Sequence, residues 1–475
     1  MNLNGRKVDR RAFLKQSAAA SAAFAAALDA FRAEKAAAEE AAKEAAAAPG
    51  RPVNIAIIGT GSEGNMLLGE AVKTPGVFCR AVCDIWPPNL EAGLKTIRTD
   101  KTYAGYRKDA DLEEALKIAN QAKGYADYRE LLEKEKDVEA VIIATPLHTH
   151  AEMVAAVLAA GKHVYCEKMM AMTVEECKQV GRAARDSKKV VQFGHQQHWN
   201  DWYKLGYKLI HNDKICGPVT HMRAWWHRNA TWRRPISDDE KSLVDVTKYG
   251  YKDVDELRNW RLYWKTSGGL MAELACHQID MANWYTESVP NLVVGLGGSG
   301  TREDWQGEVY DHVHCIFQYP GGRTLTYSAI STNQYDGQGE QFMGPDGTVL
   351  LSRGGGFIYR EPKAAKLAWE QHAKTEKDAK GKTAIVLKPG STVTEGGRAE
   401  QKGEAIQAGT PEKKDPFKDY RAALADWANC IREGKPENVK TGWEVSLKAA
   451  VPCILANEAM KKKTWIEIKP EMYQL

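Results

Sequence analysis

Val53-Asn54-Ile55-Ala56-Ile57-Ile58 runs directly into Gly59-Thr60-Gly61-Ser62-Glu63-Gly64. The first six residues are mostly β-branched and apolar, the composition of a strand buried on both faces of a parallel sheet. Beyond the glycines, Met66, Leu67, Leu68 and Val72 open a helix-like segment. Between strand and helix, Gly59 permits a tight turn, Gly61 lets a diphosphate approach the backbone, and Gly64 lets helix and strand come close. Ser62 and Glu63 stand at the helix start, where free N–H groups and the helix dipole favour an anion. Strand, glycine turn and helix in this order predict a Rossmann dinucleotide-binding domain.

The next strand, over 77–83, ends in Asp84, 20 residues past Gly64. A carboxylate there accepts hydrogen bonds from both ribose hydroxyls and repels a 2′-phosphate. Ile85, Trp86 and Pro87 supply no arginine to reverse that preference, so the expected cofactor is NAD. A third apolar strand over 138–144 leads to Thr145-Pro146-Leu147-His148-Thr149-His150, a helix follows over 151–160, and His163-Val164-Tyr165-Cys166 leads into Glu167-Lys168. Ligands of open parallel sheets sit outside the carboxyl ends of the strands. Thr145, Pro146, His148, His150, Glu167 and Lys168 are therefore assigned, with the glycine loop and Asp84, to the cofactor pocket. For His148 and His150, capping the following helix is the other reading.

The chain has 475 residues, enough for more than one domain, and its 43% apolar and 27% charged content is that of a globular protein. Of the net charge of +4, half lies in residues 1–48, which leaves too little for a nucleic-acid footprint. Nine cysteines form no C-x-x-C pair, so neither a zinc ribbon nor a dense disulfide framework is expected, a pattern that fits folding in a reducing compartment. There is no purely apolar run long enough to span a bilayer, so a stable membrane anchor is not expected. Asp9-Arg10-Arg11-Ala12-Phe13-Leu14-Lys15, followed by an Ala/Ser run to Leu28, resembles a twin-arginine export signal, with 29–48 as a charged Ala-rich linker. A periplasmic or otherwise exported protein follows, carried across already folded with its cofactor bound.

Four separated motifs carry a wider resemblance: the G-T-G-S-E-G loop, A-T-P-L-H-T-H at 144–150, G-K-H-V-Y-C-E-K at 161–168, and Gly268-Gly269-Leu270-Met271-Ala272-Glu273-Leu274-Ala275-Cys276-His277-Gln278-Ile279-Asp280. Together they resemble the Gfo/Idh/MocA family, named for glucose-fructose oxidoreductase and inositol dehydrogenase. The resemblance implies an α/β protein: a Rossmann NAD-binding domain, taken as 49–168, then a second α/β domain over 169–475 with a large open, mostly antiparallel sheet. That sheet's face is expected to form a homo-oligomer, and helices at 416–433 and 442–460 to pack back on the Rossmann domain. Segments at 219–226, 292–297, 309–317 and 323–331 alternate apolar and polar residues as such a sheet requires. Residues 361–416, rich in Lys, Gly, Glu and Thr, read as a surface insertion. Two departures stand out: Met169 follows Glu167-Lys168 where the family has proline, and Glu273 stands where it has aspartate.

Oxidising a carbinol needs a hydride acceptor on one side of the carbon and a base for the hydroxyl proton. His277 is the expected base, ionising in the ordinary histidine range. Glu273, four residues earlier on one helix face, is expected to orient it or to bind a substrate hydroxyl. Lys168, at a strand end beneath the nicotinamide, stabilises the developing oxyanion. The resemblance places substrate contacts at His195, Gln196 and His198. Eight of the fourteen tryptophans lie between 199 and 284, and rings of this kind, Trp232 among them, can stack on sugars while Arg228, Arg233 and Asp280 read hydroxyls. A zinc site from Glu273, His277, His195 and His198 is the rival reading, disfavoured because the redox step needs no Lewis acid. The expected function is an exported NAD-dependent oxidoreductase acting on a secondary hydroxyl of a carbohydrate, with tightly held cofactor. The alternative is an NAD-dependent glycoside hydrolase that oxidises C3 transiently, eliminates, and hydrates; a non-catalytic sugar-binding protein is the third reading.

Overall fold

The computed structural model describes residues 51–107, 109–367, 370, 375–377, 381–387 and 415–475. The twin-arginine segment and its Ala-rich linker lie outside the described residues.

The first half opens with β1 (Val53–Ile58), α1 (Ser62–Lys73), β2 (Val77–Cys83), α2 (Pro87–Ile97), α3 (Asp109–Gln121), β3 (Lys123–Tyr125) and α4 (Tyr128–Lys134). It continues through β4 (Ala140–Ile143), α5 (His150–Ala159), β5 (His163–Cys166), α6 (Val174–Ser187) and β6 (Val191–Phe193). The six strands form one parallel sheet in the order β3-β2-β1-β4-β5-β6. Alternate residues of β1 feed two cores: Ile55 and Ile57 meet Leu67 and Leu68 of α1, whereas Ala56 and Ile58 face the layer of Val154 and Val157 from α5. Burial on both faces is why β1 reads as an unbroken apolar run. The sheet continues to Phe193, so the expected boundary at 168 cuts it short; a parallel β6 needs the α6 crossover, and both lie beyond that boundary.

After α7 (Asp201–His211) the chain builds a ten-stranded sheet from β7 (His221–His227), β8 (Leu292–Gly298), β9 (His312–Gln318), β10 (Thr324–Ile330), β11 (Gln338–Gly344), β12 (Gly347–Ser352), β13 (Gly355–Arg360), β14 (Thr375–Lys377), β15 (Thr383–Leu387) and β16 (Ile466–Glu467). Their order is β14-β15-β13-β12-β11-β7-β10-β9-β8-β16, and the β7–β10 pair is parallel while the others are antiparallel. In β9, Val313, Cys315 and Phe317 are buried while His314, Ile316 and Gln318 face out, the alternation of a half-covered sheet. Part of the expected 361–416 insertion therefore does structural work: β14 and β15 extend this sheet. Residues 388–414 lie outside the described residues.

Helix α8 (Cys276–Thr286) follows a π-type turn over Met271–Ala275 and lies between the two sheets. Of the last two helices, α9 (Lys418–Glu433) returns to the Rossmann sheet, where buried Trp427 donates from Nε1 to the Val164 carbonyl at 3.0 Å. The second, α10 (Trp443–Lys462), packs against α6, α8 and β8. A third, small core joins Trp86, just past β2, to Val246, Tyr251, Val254 and Leu257 of the second domain. All nine cysteines are free and buried. Among the described residues no helix is long and apolar enough to cross a membrane.

Candidate active site

Gly59 adopts φ +89°, a conformation that L side chains rarely enter, and a Cβ there would lie 2.6 Å from the Ala144 carbonyl oxygen. A Cβ on Gly64 would overlap the Gly59 carbonyl, whereas Gly61 has open space beside it. The loop is thus closed toward the protein and open where a diphosphate would approach, as the NAD reading requires. A cavity of about 300 Å3 begins here, lined by Gly59, Gly61, Ser62, Glu63, Asp84, Thr145 and Pro146.

Asp84 is tied to the same loop. Its Oδ2 accepts from the Thr60 N–H at 2.8 Å and its Oδ1 from the Trp86 N–H at 2.8 Å. Sequence neighbours offered no cation, yet Arg129, Arg234, Arg258 and Arg261 reach this cavity from distant positions. Arg234 donates to Ser62 Oγ at 3.3 Å, and the Arg258 guanidinium lies 5.1 Å from the centroid of Trp86. Tyr249, Tyr251 and Trp260 of the second domain close the adenosine side. No local motif announced this cover.

Three residues assigned to the cofactor pocket take other places. His150 is buried, with Nδ1 2.8 Å from the Met169 carbonyl oxygen and Nε2 2.9 Å from that of Thr145. It fastens the end of β4 to the residue after Lys168 and does not line the cavity. His148 packs edge-on against Tyr251, and burial lowers its pKa to about 4. Glu167 turns inward, accepting from Gln196 Nε2 at 2.8 Å and from the Lys168 N–H at 3.1 Å; burial, then the Glu63 carboxylate, push its carboxyl up to about 8. The Lys168–Met169 peptide is cis.

Lys168 extends from the end of β5 to the π-type turn, where its Nζ donates to the Glu273 carbonyl at 3.2 Å. Burial opposes its charge, but the Glu273 carboxylate, with Cys276, Glu167 and Glu63, holds the pKa above the ordinary lysine value. It stays an ammonium. His277 is buried, and burial together with the Lys168 and Arg353 cations lowers its pKa well below the ordinary 6.5. It stays a neutral imidazole, so the expected ionisation in the ordinary histidine range moves to more acid pH. Its Nδ1 is enclosed and without a hydrogen-bond partner.

Glu273 does not orient His277. Its Oε2 accepts from Arg261 Nε at 2.9 Å instead. The physical reason is the π-type turn, whose extra residue breaks the i, i+4 alignment that an α-helix would give. Asp280 likewise reads no hydroxyl in this arrangement. It is buried, bound to His198 Nε2 at 3.0 Å and to His195 Nδ1 at 3.2 Å, and the two histidines hold its carboxyl below its ordinary value against burial. Gln196 is occupied by Glu167, and Arg233 by Asp255, with Nη1 to Oδ2 at 3.1 Å and Nη2 to Oδ1 at 2.9 Å. Among the substrate-side expectations, Arg228 and Trp232 do meet: the guanidinium is 4.7 Å from the ring centroid, next to Glu273 in charge. Of the residues in the zinc reading, Glu273 is on Arg261 and the two histidines are on Asp280. Among the described residues no group of three or more His, Cys, Asp or Glu is placed to hold a metal.

Two neighbours of His277 carried no motif. Trp226 lies 5.8 Å from the His277 ring, and Arg353, at the turn between β12 and β13, lies 5.9 Å from Trp226. Sheet register alone brings them here.

Residues 53–195 match the oxidoreductase family with the NAD-binding Rossmann fold, and residues 212–350 match the GFO/IDH/MocA C-terminal domain. Together these matches cover more than half of the chain. The chain belongs to the Gfo/Idh/MocA family. Within it, inositol 2-dehydrogenase of Salmonella paratyphi B is 28% identical over 246 residues, 50% of this chain and 65% of that protein. A glycosyl hydrolase family 109 protein of Shewanella pealeana is 26% identical over 218 residues, 45% of this chain and 40% of that protein. The chain thus aligns with under two thirds of the length of these curated relatives. Levoglucosan dehydrogenase in complex with NADH shares the fold at TM-score 0.61 and 18% identity, over 88% of this chain and 100% of that one.

Proposed function

We propose that this Gfo/Idh/MocA protein is an exported NAD(H)-dependent oxidoreductase that converts a secondary hydroxyl of a sugar or sugar-like polyol to a ketone. The observation that carries this reading is the reach of Lys168 from the end of β5 to the Glu273 carbonyl, 3.2 Å away on the turn that leads into α8 and its buried His277. NAD, when bound, supplies the hydride acceptor. His277 takes the hydroxyl proton at Nε2 while the Lys168 ammonium stabilises the negative charge on that oxygen as the C–H bond breaks and C=O forms. The Glu273 carboxylate keeps the ammonium charged, and the Glu273 carbonyl accepts from its Nζ. The relationship to inositol 2-dehydrogenase agrees with such chemistry.

Retention of the nucleotide is supported by the Tyr251, Val254 and Leu257 core on Trp86, which must come apart before the adenosine end can leave. Export rests on Arg10-Arg11-Ala12-Phe13-Leu14-Lys15; replacing both arginines by lysine is expected to hold the precursor in the cytoplasm, and normal export would remove that part of the reading. Self-association through the open sheet is supported by Leu296, 72% exposed, and Ile316, 48% exposed; a monomer by light scattering would refute it.

The similarity to a glycosyl hydrolase family 109 protein supports a second reading, redox-neutral glycoside cleavage by transient oxidation, with the same two residues. Purified protein incubated with sugars and an aryl glycoside in deuterated water separates them. A ketosugar with stoichiometric NADH means net oxidation; deuterium at C2 of a released sugar without net NADH means hydrolysis. Neither product from any carbinol offered would overturn both.

A further inference from the structure

Two arginines stand on the substrate side of His277 and Glu273 with no carboxylate of their own. Arg228 follows β7; its Nε and Nη2 are enclosed and have no hydrogen-bond partner. Burial lowers its pKa to about 10, with the Glu273 charge opposing the fall, so it remains a cation at neutral pH. Glu273 is already taken by Arg261 at 2.9 Å. Arg353 is half-buried between Trp226 and Tyr420, 5.9 Å from each ring centroid, and its one hydrogen bond from Nη1 reaches the Tyr420 hydroxyl at 3.4 Å. The carboxylate nearest in charge, Asp419, accepts from Asn200 Nδ2 at 2.7 Å, and burial raises its pKa. Among the described residues neither arginine forms an ion pair.

For Arg228 the enclosed Nε and Nη2 are costly, because each has given up water for no acceptor. Neither Arg228 nor Arg353 lines the nucleotide cavity, so the cofactor's phosphates do not account for them. The Lys168 ammonium lies in the same region, and the Asp280 charge is spent on His195 and His198. The substrate side therefore holds two guanidiniums without an ion-pair partner next to the rings of Trp226 and Trp232. A planar guanidinium fork matches the two oxygens of a carboxylate, and an aromatic wall suits the apolar face of a sugar ring.

From this juxtaposition we propose that the substrate is an acidic sugar, a uronic acid or uronide, whose carboxylate is bound by Arg228 and Arg353 while His277 and Lys168 act on a hydroxyl of the same ring. The proposal rests on the oxidoreductase reading and narrows its substrate class.

The test compares D-glucuronate with D-glucose, and methyl glucuronide with methyl glucoside, on the nucleotide-loaded protein. The acidic member of each pair is expected to have kcat/KM on the order of 10²-fold higher, the value of a charge-assisted bidentate contact. Arg228→Gln and Arg353→Gln are each expected to abolish that preference by raising KM for the acid, and Arg228→Lys to restore part of it. Retained nucleotide, read by mass, checks that each variant is folded; for a variant that loses it, the wild-type preference and its weakening with salt decide. Equal or better turnover of the neutral sugars overturns the acidic-substrate proposal and leaves the oxidoreductase reading intact. Calorimetric binding of glucuronate without turnover of any sugar does the reverse. Stronger binding of glucose 6-phosphate than of glucuronate overturns the carboxylate assignment.

Discussion

The glycine-loop cavity and the Lys168–His277 cluster are assembled in opposite ways. At the first, loop and acid come from one short stretch, residues 53–84, and touch directly: the Thr60 N–H of the loop donates to Asp84. At the second, Lys168, Glu273, His277 and Arg353 come from separate elements of both halves, and their charges set one another. A local motif can be read with its geometry. A gathered site can be read only as a set of residues, because its pairings depend on register and helix phase.

The sharpest test of this contrast is His277→Ala, expected to lower turnover by about 10²–10⁴ through loss of the general base while leaving nucleotide binding intact. Loss of nucleotide binding as well would mean that the two regions are not separable. In the unaltered protein, the base must be neutral and the ammonium charged. With the His277 pKa below 6.5 and that of Lys168 above 10.5, kcat/KM should stay flat between those values, falling on the acid side as His277 protonates and on the alkaline side as Lys168 deprotonates. A limb near neutrality that disappears in His277→Ala would contradict the lowered pKa.

In the glycine-loop cavity, Asp84→Ser should weaken NAD binding relative to NADP by about 10- to 100-fold, the worth of charge-assisted bonds to the ribose. Unchanged discrimination in a nucleotide titration would remove Asp84 from that role. Gly64→Ala is expected to destabilise the fold by about 1–3 kcal/mol, since the new methyl meets the Gly59 carbonyl; a denaturant melt reads it, and an unshifted midpoint would refute the close approach. The smallest change is expected from Glu273→Gln. Removing that charge lets burial lower the Lys168 pKa, so the alkaline limb should move toward neutral pH while the acid limb holds; an unmoved alkaline limb would show that other groups keep the ammonium charged.

The same contrast explains what the amino-acid sequence made legible. The strand, Gly59, Gly61, Gly64 and Asp84 declare fold and cofactor class because they fall in one short stretch, in the order strand, turn, helix, strand and acid. Lys168 and His277 were recognisable through their motif contexts. The partner of Glu273 was not: four-residue spacing pointed to His277, and the π-type turn, which no composition signals, delivered it to Arg261. Asp280 and Gln196 looked like free polar groups and proved to be committed to other side chains in the interior. Arg353 stands in a Ser-Arg-Gly-Gly hairpin turn with nothing local to mark it, and only the β11–β12–β13 pairing carries it to the base. The cover over the adenosine end arises from residues about 190 positions beyond the loop it closes.

The nine cysteines have a consequence for where such a molecule can work. Every one is sealed inside, and burial raises each thiol, the lowest being Cys430 at about 11. At pH 8 the reactive thiolate is then at most about one part in 10³ of any of them, too little for ready oxidation or exchange. None needs a bridge to hold the fold, and none offers a handle to an oxidant. None of these nine thiols, sealed in this way, is readily oxidised or exchanged, whether the surroundings are reducing or oxidising.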